Sequence, residues 1–582
     1  MKAKQLVTAG LALAALMACN KEKAVETPLQ DGDAYINVKI TYSDPATKGT
    51  AATPPFYFGT ADEQAINNAY FVFYYADGSY DQYVKKENAE LTFNPNGTNS
   101  STTENVEELS EAVVVLRNLK SNLYPAFMSV ILNSTDEWIN GNIKNKSITE
   151  AKSAVQAAIA TVGTNAQVDW SNFMMSSSTF NNGDERTGYF CTKLTPANFQ
   201  ESAEKAVQSG NPVEAYVERL AAKVKVEFGG TLNINGGKIG TFEVNGAAKD
   251  LYFKVKGWGL NATTKNSFCF KNINTSWNST GLGFDWNDAN NHRSYWTQST
   301  NYDNGVYPNT FDSSTGHYKD ATDVTLNYIS YNSLAVGIGA NAYCRENTNT
   351  ETVMKKNLSS TATSVLLGAQ IVDKDGNVLT LYNYNGKLYA DETSYKNAAL
   401  NDYEAKNTDK IFWKKTTGTS GETYTKVSVD DLKVEPSADG YAHVELKVAD
   451  NYYYGSRSAV ESSSATAVTT DDANKMLNGT TQYKYNTGCS FYKNGEMYYN
   501  IPIEHLRQSN KTAEGYEVKE GDYGVVRNHY YIVTINSIRN LGKAVNDPDE
   551  VIVPNDEDIK SYYVAAKINV LSWKVVNQSV DL

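Results

Sequence analysis

Histidine and cysteine are scarce in this 582-residue chain, five of each, and proline numbers only 13. None of His292, His317, His443, His505 and His529 stands in a metal-ligand spacing such as His-x-x-x-His. There is also no nucleophile elbow and no phosphate loop, and no pair of carboxylates is singled out for glycoside hydrolysis. The run Asp373-Lys-Asp375-Gly376-Asn377 imitates the start of a calcium loop, but its glycine is misplaced and Tyr384 stands where glutamate is required. It reads as a hairpin turn. These absences argue against an enzyme and imply neither cofactor nor metal. The net charge of -13 comes without any block of like charge, which disfavours nucleic acid as a partner.

The only strongly apolar leader is short. Lys2 and Lys4 precede a run from Leu6 to Ala18, too brief to span a bilayer and laid out like an export signal. It ends Leu16-Met17-Ala18-Cys19, which resembles a bacterial lipobox, with Cys19 the residue to be lipidated; the alternative is a soluble secreted protein whose Cys19 is incidental. Acyl chains, at about 0.8 kcal/mol per buried methylene, would hold a domain on a membrane. Removing residues 1–18 leaves Cys191, Cys269, Cys344 and Cys489, spaced too widely for a compact disulfide framework or zinc knuckle. They suit core positions, with one or two disulfides left open.

What is abundant is β character. Forty tyrosines and 39 glycines, with recurrent Asn-Gly and Asp-Gly pairs, predict strands joined by tight turns. Hairpins are expected at Val72–Gly78, Gln370–Leu379 and Tyr384–Tyr389. Two helices are expected, both in the first third. Ser147 and Glu150 form a capping box ahead of the stripe Ala151, Ala154, Val155, Ala158, Ile159 and Val162. Thr195 and Pro196 suit the start of a second helix running toward Val207 and ending near Gly210. A strand from Val213 to Phe228 leads to Gly229-Gly230 and Asn235-Gly236-Gly237, where a domain boundary is expected. The length alone demands at least two domains.

Both ends of the exported chain carry unusual strands. From Asp33 to Tyr42, Ala34, Ile36, Val38, Ile40 and Tyr42 alternate with mostly polar neighbours, the pattern of one buried face. The pattern then breaks into Asp44–Pro55, small, polar and Pro/Gly-containing, the composition of an exposed loop open to proteolysis. Lys48 is its one basic residue, and a plain solvated loop lysine is the alternative reading. At the other end, Ala566–Leu582 is extended and apolar, with Ile568, Val570, Leu571, Trp573, Val575, Val576, Val580 and Leu582. Such a strand either closes its own sheet or pairs with another molecule. Its apolar positions change parity near Val570, which suggests a bulge with residues 571–582 reaching outward.

Several segments in order resemble the fimbrillins, the major shaft subunits of type V pili in Bacteroidales. They are the lipobox, the alternating strand with its basic loop, Val217–Val224, Gly257–Asn261, Arg293–Trp296, Tyr343–Thr348, Tyr523–His529, Ser537–Gly542 and Val570–Val575. The resemblance implies a mainly β fold of two transthyretin-like β-sandwich domains with a few short packing helices. It implies a signal peptide over 1–18, a propeptide with a removable strand over 19–48, an N-terminal sandwich over 49–232 and a C-terminal sandwich over 233–582. A trypsin-like maturation protease would cut at Lys48-Gly49, and residues 566–582 would be the donor strand that fills a neighbour's vacated groove. The better-known family protease cuts after arginine, whereas the first arginine here is Arg117, so the enzyme would have to accept lysine. Implied partners are further copies of the chain in a filament, accessory tip and anchor pilins, and the outer membrane through the lipid before cleavage. The competing expectation is a monomeric surface lipoprotein that binds glycans, for which Trp277, Phe284, Trp286, His292, Tyr295, Trp296 and Tyr302 would be the aromatic platform.

Overall fold

A computed structural model describes residues 31–43, 60–93, 106–157, 173–179, 189–229, 232, 237–273, 296–303, 311–312, 317–318, 326–419, 421–437, 440–449, 452–479, 485–507, 517–554 and 574–581. The chain is mainly β with a few short helices. A nine-stranded sheet contains, in spatial order, Tyr80–Glu87, Asn68–Tyr74, Phe127–Leu132, Met175–Ser177, Val213–Arg219, Gly32–Ser43, Val106–Leu119 and Thr92–Phe93, with Thr192–Lys193 attached to Phe127–Leu132. It curls on itself: Gln82 exchanges side-chain hydrogen bonds with the backbone of Arg117, both 3.2 Å, so two strands distant in the pairing order lie side by side. Inside lie Phe71, Phe73, Val114, Leu116, Val130, Leu132 and Val217.

The second half builds a ten-stranded sheet around Ala247–Asn261, Ser364–Val372 and Glu496–Pro502. Facing it is a four-stranded sheet of Asn341–Cys344, Ala222–Phe228, His529–Ser537 and Lys574–Asp581, and the two share one core that includes Val224, Trp258, Leu367, Tyr499 and Val533. A smaller sheet formed by Phe412–Gly418, Gly421–Lys426, Tyr452–Tyr454 and Thr466–Val468 lies alongside.

The expected single strand from Val213 to Phe228 is in fact two. Val213–Arg219 belongs to the first sheet and Ala222–Phe228 to the second, so the chain crosses at Leu220-Ala221, ahead of the expected boundary after residue 232. The hairpins form as their turn residues dictate: Asn385 and Gly386 take φ of 51° and 78°, the paired positive values of a type I′ turn between Leu381–Tyr384 and Lys387–Tyr389. Asp373 accepts hydrogen bonds from the Asp375 and Asn377 amides at 2.8 and 2.9 Å, which makes it the organiser of the preceding turn.

The helices depart from expectation in three ways. The Ser147–Glu150 capping box is present, but its helix ends at Lys152 and Val155–Ala157 becomes a strand paired with Asn266–Phe268; residues 158–172, with Ala158, Ile159 and Val162, lie outside the described residues. The helix from Thr195 divides into a turn at Pro196–Asn198 and a helix at Ala203–Gln208, because the intervening Gln200 backbone exchanges hydrogen bonds of 2.8 and 2.9 Å with Tyr35. Further helices occur in the second half, at Glu351–Thr361, Glu392–Lys406 and Thr470–Asn478. In Glu392–Lys406 the buried stripe is Tyr395, Ala399, Leu400 and Tyr403, whose tyrosines blend into the β-like texture of the sequence.

Candidate functional site

The Gly32–Ser43 strand is the first candidate element. Its alternation puts Ala34, Ile36, Val38 and Ile40 into the core, the last three at 0% exposure. One edge pairs antiparallel with Val106–Leu119, placing Ile36 opposite Val114 and Val38 opposite Ala112. The other pairs parallel with Val213–Arg219, placing Val38 opposite Val213, Ile40 opposite Ala215 and Tyr42 opposite Val217. Its start is fastened by Asp31, whose carboxylate accepts from the Ser121 amide and hydroxyl at 2.9 Å each, and by an Asp33–Arg117 ion pair. Lys48 and Gly49 lie outside the described residues, as does Cys19.

Beyond that loop the chain is caught at once. Thr60 caps the short helix Ala61–Gln64, with the Glu63 carboxylate accepting the Thr60 amide at 2.8 Å. Glu63 is buried, and its other oxygen accepts from Lys223 Nζ at 2.6 Å and from the Tyr343 hydroxyl. Arg219 Nε donates to the Glu63 carbonyl at 2.6 Å, while Arg219 Nη1 reaches Asn528 Oδ1 at 3.3 Å. Burial alone would push the Glu63 carboxyl up, but the hydrogen bonds from Lys223 and Tyr343 outweigh it and hold it below its ordinary value. Lys223 Nζ also sits 4.8 Å from the Tyr530 ring centroid.

Two more buried pairs continue this seam between the sheets. Glu218 Oε2 meets Lys271 Nζ at 2.8 Å, with side chains 2% and 0% exposed. Arg527, fully buried, donates through Nε to Glu346 Oε2 at 2.8 Å, through a second nitrogen to the other Glu346 oxygen, and to the Cys269 and Phe268 carbonyls at 2.9 and 2.6 Å. The segments Val217–Val224, Tyr343–Thr348 and Tyr523–His529, far apart in sequence, therefore meet at one seam. Gly524 makes the approach possible: at φ 127°, a Cβ there would stand 2.6 Å from the Asn347 carbonyl oxygen. The seam was not foreseen from sequence. Its signal was charge inside strand runs, Glu218 after Val217 and Lys223 between Ala222 and Val224.

The Lys574–Asp581 strand is the other candidate element. It lies parallel to His529–Ser537, from His529 opposite Lys574 to Ser537 opposite Asp581, at the end of the four-stranded sheet. Val575, Val576 and Val580 stand in register with Tyr530, Tyr531 and Ile535. Ile568, Val570, Leu571, Trp573 and Leu582 lie outside the described residues, and so does the expected bulge near Val570. Of the aromatic platform, Trp296 is wholly buried and Tyr302 is partly buried with its hydroxyl on Glu520; Trp277, Phe284, Trp286, His292 and Tyr295 lie outside the described residues. Cys191, Cys269, Cys344 and Cys489 are buried. Among the described residues no cluster of histidine, cysteine and carboxylate side chains is arranged to hold a metal ion.

Residues 490–579 match the family model described as the major fimbrial subunit protein type IV, fimbrillin, C-terminal. No curated protein matches the chain by sequence. Among solved structures, a fimbrilin from Porphyromonas gingivalis W83 aligns over 94% of this chain and 97% of its own at 13% identity, with a TM-score of 0.33. A fimbrial assembly protein from Parabacteroides distasonis ATCC 8503 aligns over 72% of this chain and 100% of its own at 10% identity, TM-score 0.25. The tip fimbrial protein Mfa3 from Porphyromonas gingivalis, C-terminally truncated, aligns over 57% and 77% at 11% identity, TM-score 0.25. These superpositions are loose, and the sequence match over residues 490–579 is the stronger link.

Proposed function

We propose that this chain, a fimbrillin-type subunit, is a structural component of a surface pilus that polymerises by exchanging strands after proteolysis. The reading rests on one observation above all: the Gly32–Ser43 strand is hydrogen-bonded on both edges and carries Ile36, Val38 and Ile40 in the core. A strand so placed fills a groove. Burying its three large aliphatic side chains is worth roughly 5–9 kcal/mol gross, at about 1.5–3 kcal/mol each. A cut at Lys48-Gly49 would release it, leaving two unpaired edges and an open strip of core that a second strand can occupy.

The proposed maturation keeps the rest of the subunit intact. Residues after the cut are anchored by Glu63 to both sheets. The proposed donor, residues 566–582, has its part Lys574–Asp581 paired with its own chain along one edge, so fewer backbone pairings hold it than hold Gly32–Ser43. In the precursor, groove and donor would both be occupied within one molecule, which restrains premature assembly. Export as a lipoprotein through Cys19, release from the outer membrane on cleavage, cleavage by a lysine-accepting trypsin-like enzyme, and joining to tip and anchor subunits complete the proposal, with adhesion as the outcome at the cell surface.

The test is the N-terminus of subunits taken from assembled filaments. A start at Gly49 is expected, and a start at Cys19 would overturn the maturation step. Electron microscopy of cells expressing a chain truncated after residue 565 should show no filaments; filaments that persist would remove the donor role.

A further inference from the structure

The three buried acid–base pairs at the seam are not satisfied alike. Glu63 accepts from Lys223, Tyr343 and the Thr60 amide, and Glu346 takes Arg527 on both oxygens and the Thr297 hydroxyl at 3.1 Å. Glu218 holds Lys271 with Oε2, while its Oε1 is buried with no hydrogen-bond partner. An ionised carboxylate with a bare oxygen in a dry site is costly, and such a pair relieves the cost by neutralising. We propose that Glu218 and Lys271 go on to form an intramolecular isopeptide bond between Glu218 Cδ and Lys271 Nζ.

The chemistry balances without any further reagent. A proton passes from the Lys271 ammonium to the Glu218 carboxylate, giving an amine and a carboxylic acid 2.8 Å apart. The Nζ lone pair adds to Cδ. The Cδ–Oε2 bond then breaks, and that oxygen leaves as water with the acid proton and one proton from Nζ. One C–N bond and one O–H bond replace one C–O bond and one N–H bond, with no change of oxidation state. The surroundings favour each stage. Burial pushes the Glu218 carboxyl up and the Lys271 ammonium down, both toward the reactive neutral forms. The Arg527 guanidinium, whose charge also acts on Glu218, would stabilise the oxyanion that develops on the unpartnered Oε1.

The neighbouring Glu63–Lys223 pair provides the contrast. Its carboxylate is held in the charged form by several donors, so it stays an ion pair. The bond would tie Val213–Arg219, the strand flanking Gly32–Ser43, to the segment that follows Asn266–Phe268. It stands independently of the polymer reading.

Tryptic digestion of the purified full chain followed by tandem mass spectrometry tests it. The expected product is Ala206–Arg219 joined through Glu218 to Asn266–Arg293, lighter than the sum by one water, about 18 Da, with no cut after Lys271. Lys271→Arg should release Ala206–Arg219 as a free peptide, and Lys223→Arg should leave the joined product unchanged. Free Ala206–Arg219 together with cleavage after Lys271 in the unmodified chain would overturn the proposal, whether or not the variants fold.

Discussion

The Gly32–Ser43 strand is paired along both edges inside a curled sheet, whereas Lys574–Asp581 is paired, among the described residues, along one edge only. The two strands come from opposite ends of the chain and carry similar apolar composition. Their different settings follow from topology. The first lies between Val213–Arg219 and Val106–Leu119 and pairs with both; the last extends a sheet already joined to the main core through His529–Ser537. Loss of the first takes Ile36, Val38 and Ile40 out of a core and unpairs two edges, and loss of the last unpairs the His529–Ser537 edge.

The sharpest way to break this comparison is deletion. Removing residues 32–43 without supplying a replacement strand should abolish the cooperative unfolding transition of the first sheet, consistent with roughly 5–9 kcal/mol of gross burial lost. Removing residues 574–581 should leave that transition in place. Calorimetry of the two truncated chains decides it, and equal damage from both would end the distinction.

Next in size is the anchor behind the loop. Glu63→Ala strands Lys223 in a buried site, an effect of about 3–5 kcal/mol for breaking one side of a buried pair. Chemical denaturation at pH 7 measures it. The effect carries a pH signature: because the folded-state value of Glu63 lies below its ordinary 4.5, the folded protein binds fewer protons, so the stabilisation is present above that pH and lost as pH falls through and below it. The gap between native chain and Glu63→Gln should therefore narrow on acidification below 4.5, and a gap that widens would contradict the assignment.

Within the first strand, Ile36→Ala should cost about 2–5 kcal/mol, the range for emptying a packed aliphatic site. The smallest effect is expected at the strand's exposed start, where Arg117→Ala removes an ion pair whose arginine side chain is 70% exposed; no more than about 1 kcal/mol should be lost. If Arg117→Ala proved as damaging as Ile36→Ala, the strand would be held by its ends rather than by its core face.

Local signals were legible where a few adjacent residues set the backbone. Asn385-Gly386 specified its hairpin because both residues tolerate positive φ, and Ser147 with Glu150 specified a helix start because the two side chains satisfy free amides. How far a helix runs was less legible. Val155 lies on a helical stripe, yet it pairs with Phe268, more than a hundred residues away, and Gln200 leaves the helical path to bond Tyr35. Tyrosine-rich helices such as Glu392–Lys406 were hidden because tyrosine serves strand and helix cores alike.

By itself the sequence determined the alternation of Ala34, Ile36, Val38 and Ile40, the turn positions, the scarcity of metal-binding and nucleophilic patterns, and the likeness of several motifs to one family. Tertiary structure alone decided that Gly32–Ser43 lies between Val106–Leu119 and Val213–Arg219, that the chain changes sheets at Leu220-Ala221, and that Glu63, Glu218, Lys223, Lys271, Glu346 and Arg527 line one seam. The reason is physical. Periodicity and turn chemistry act over a few residues, whereas the pairing of strands and the burial of a charge depend on partners that only folding brings together.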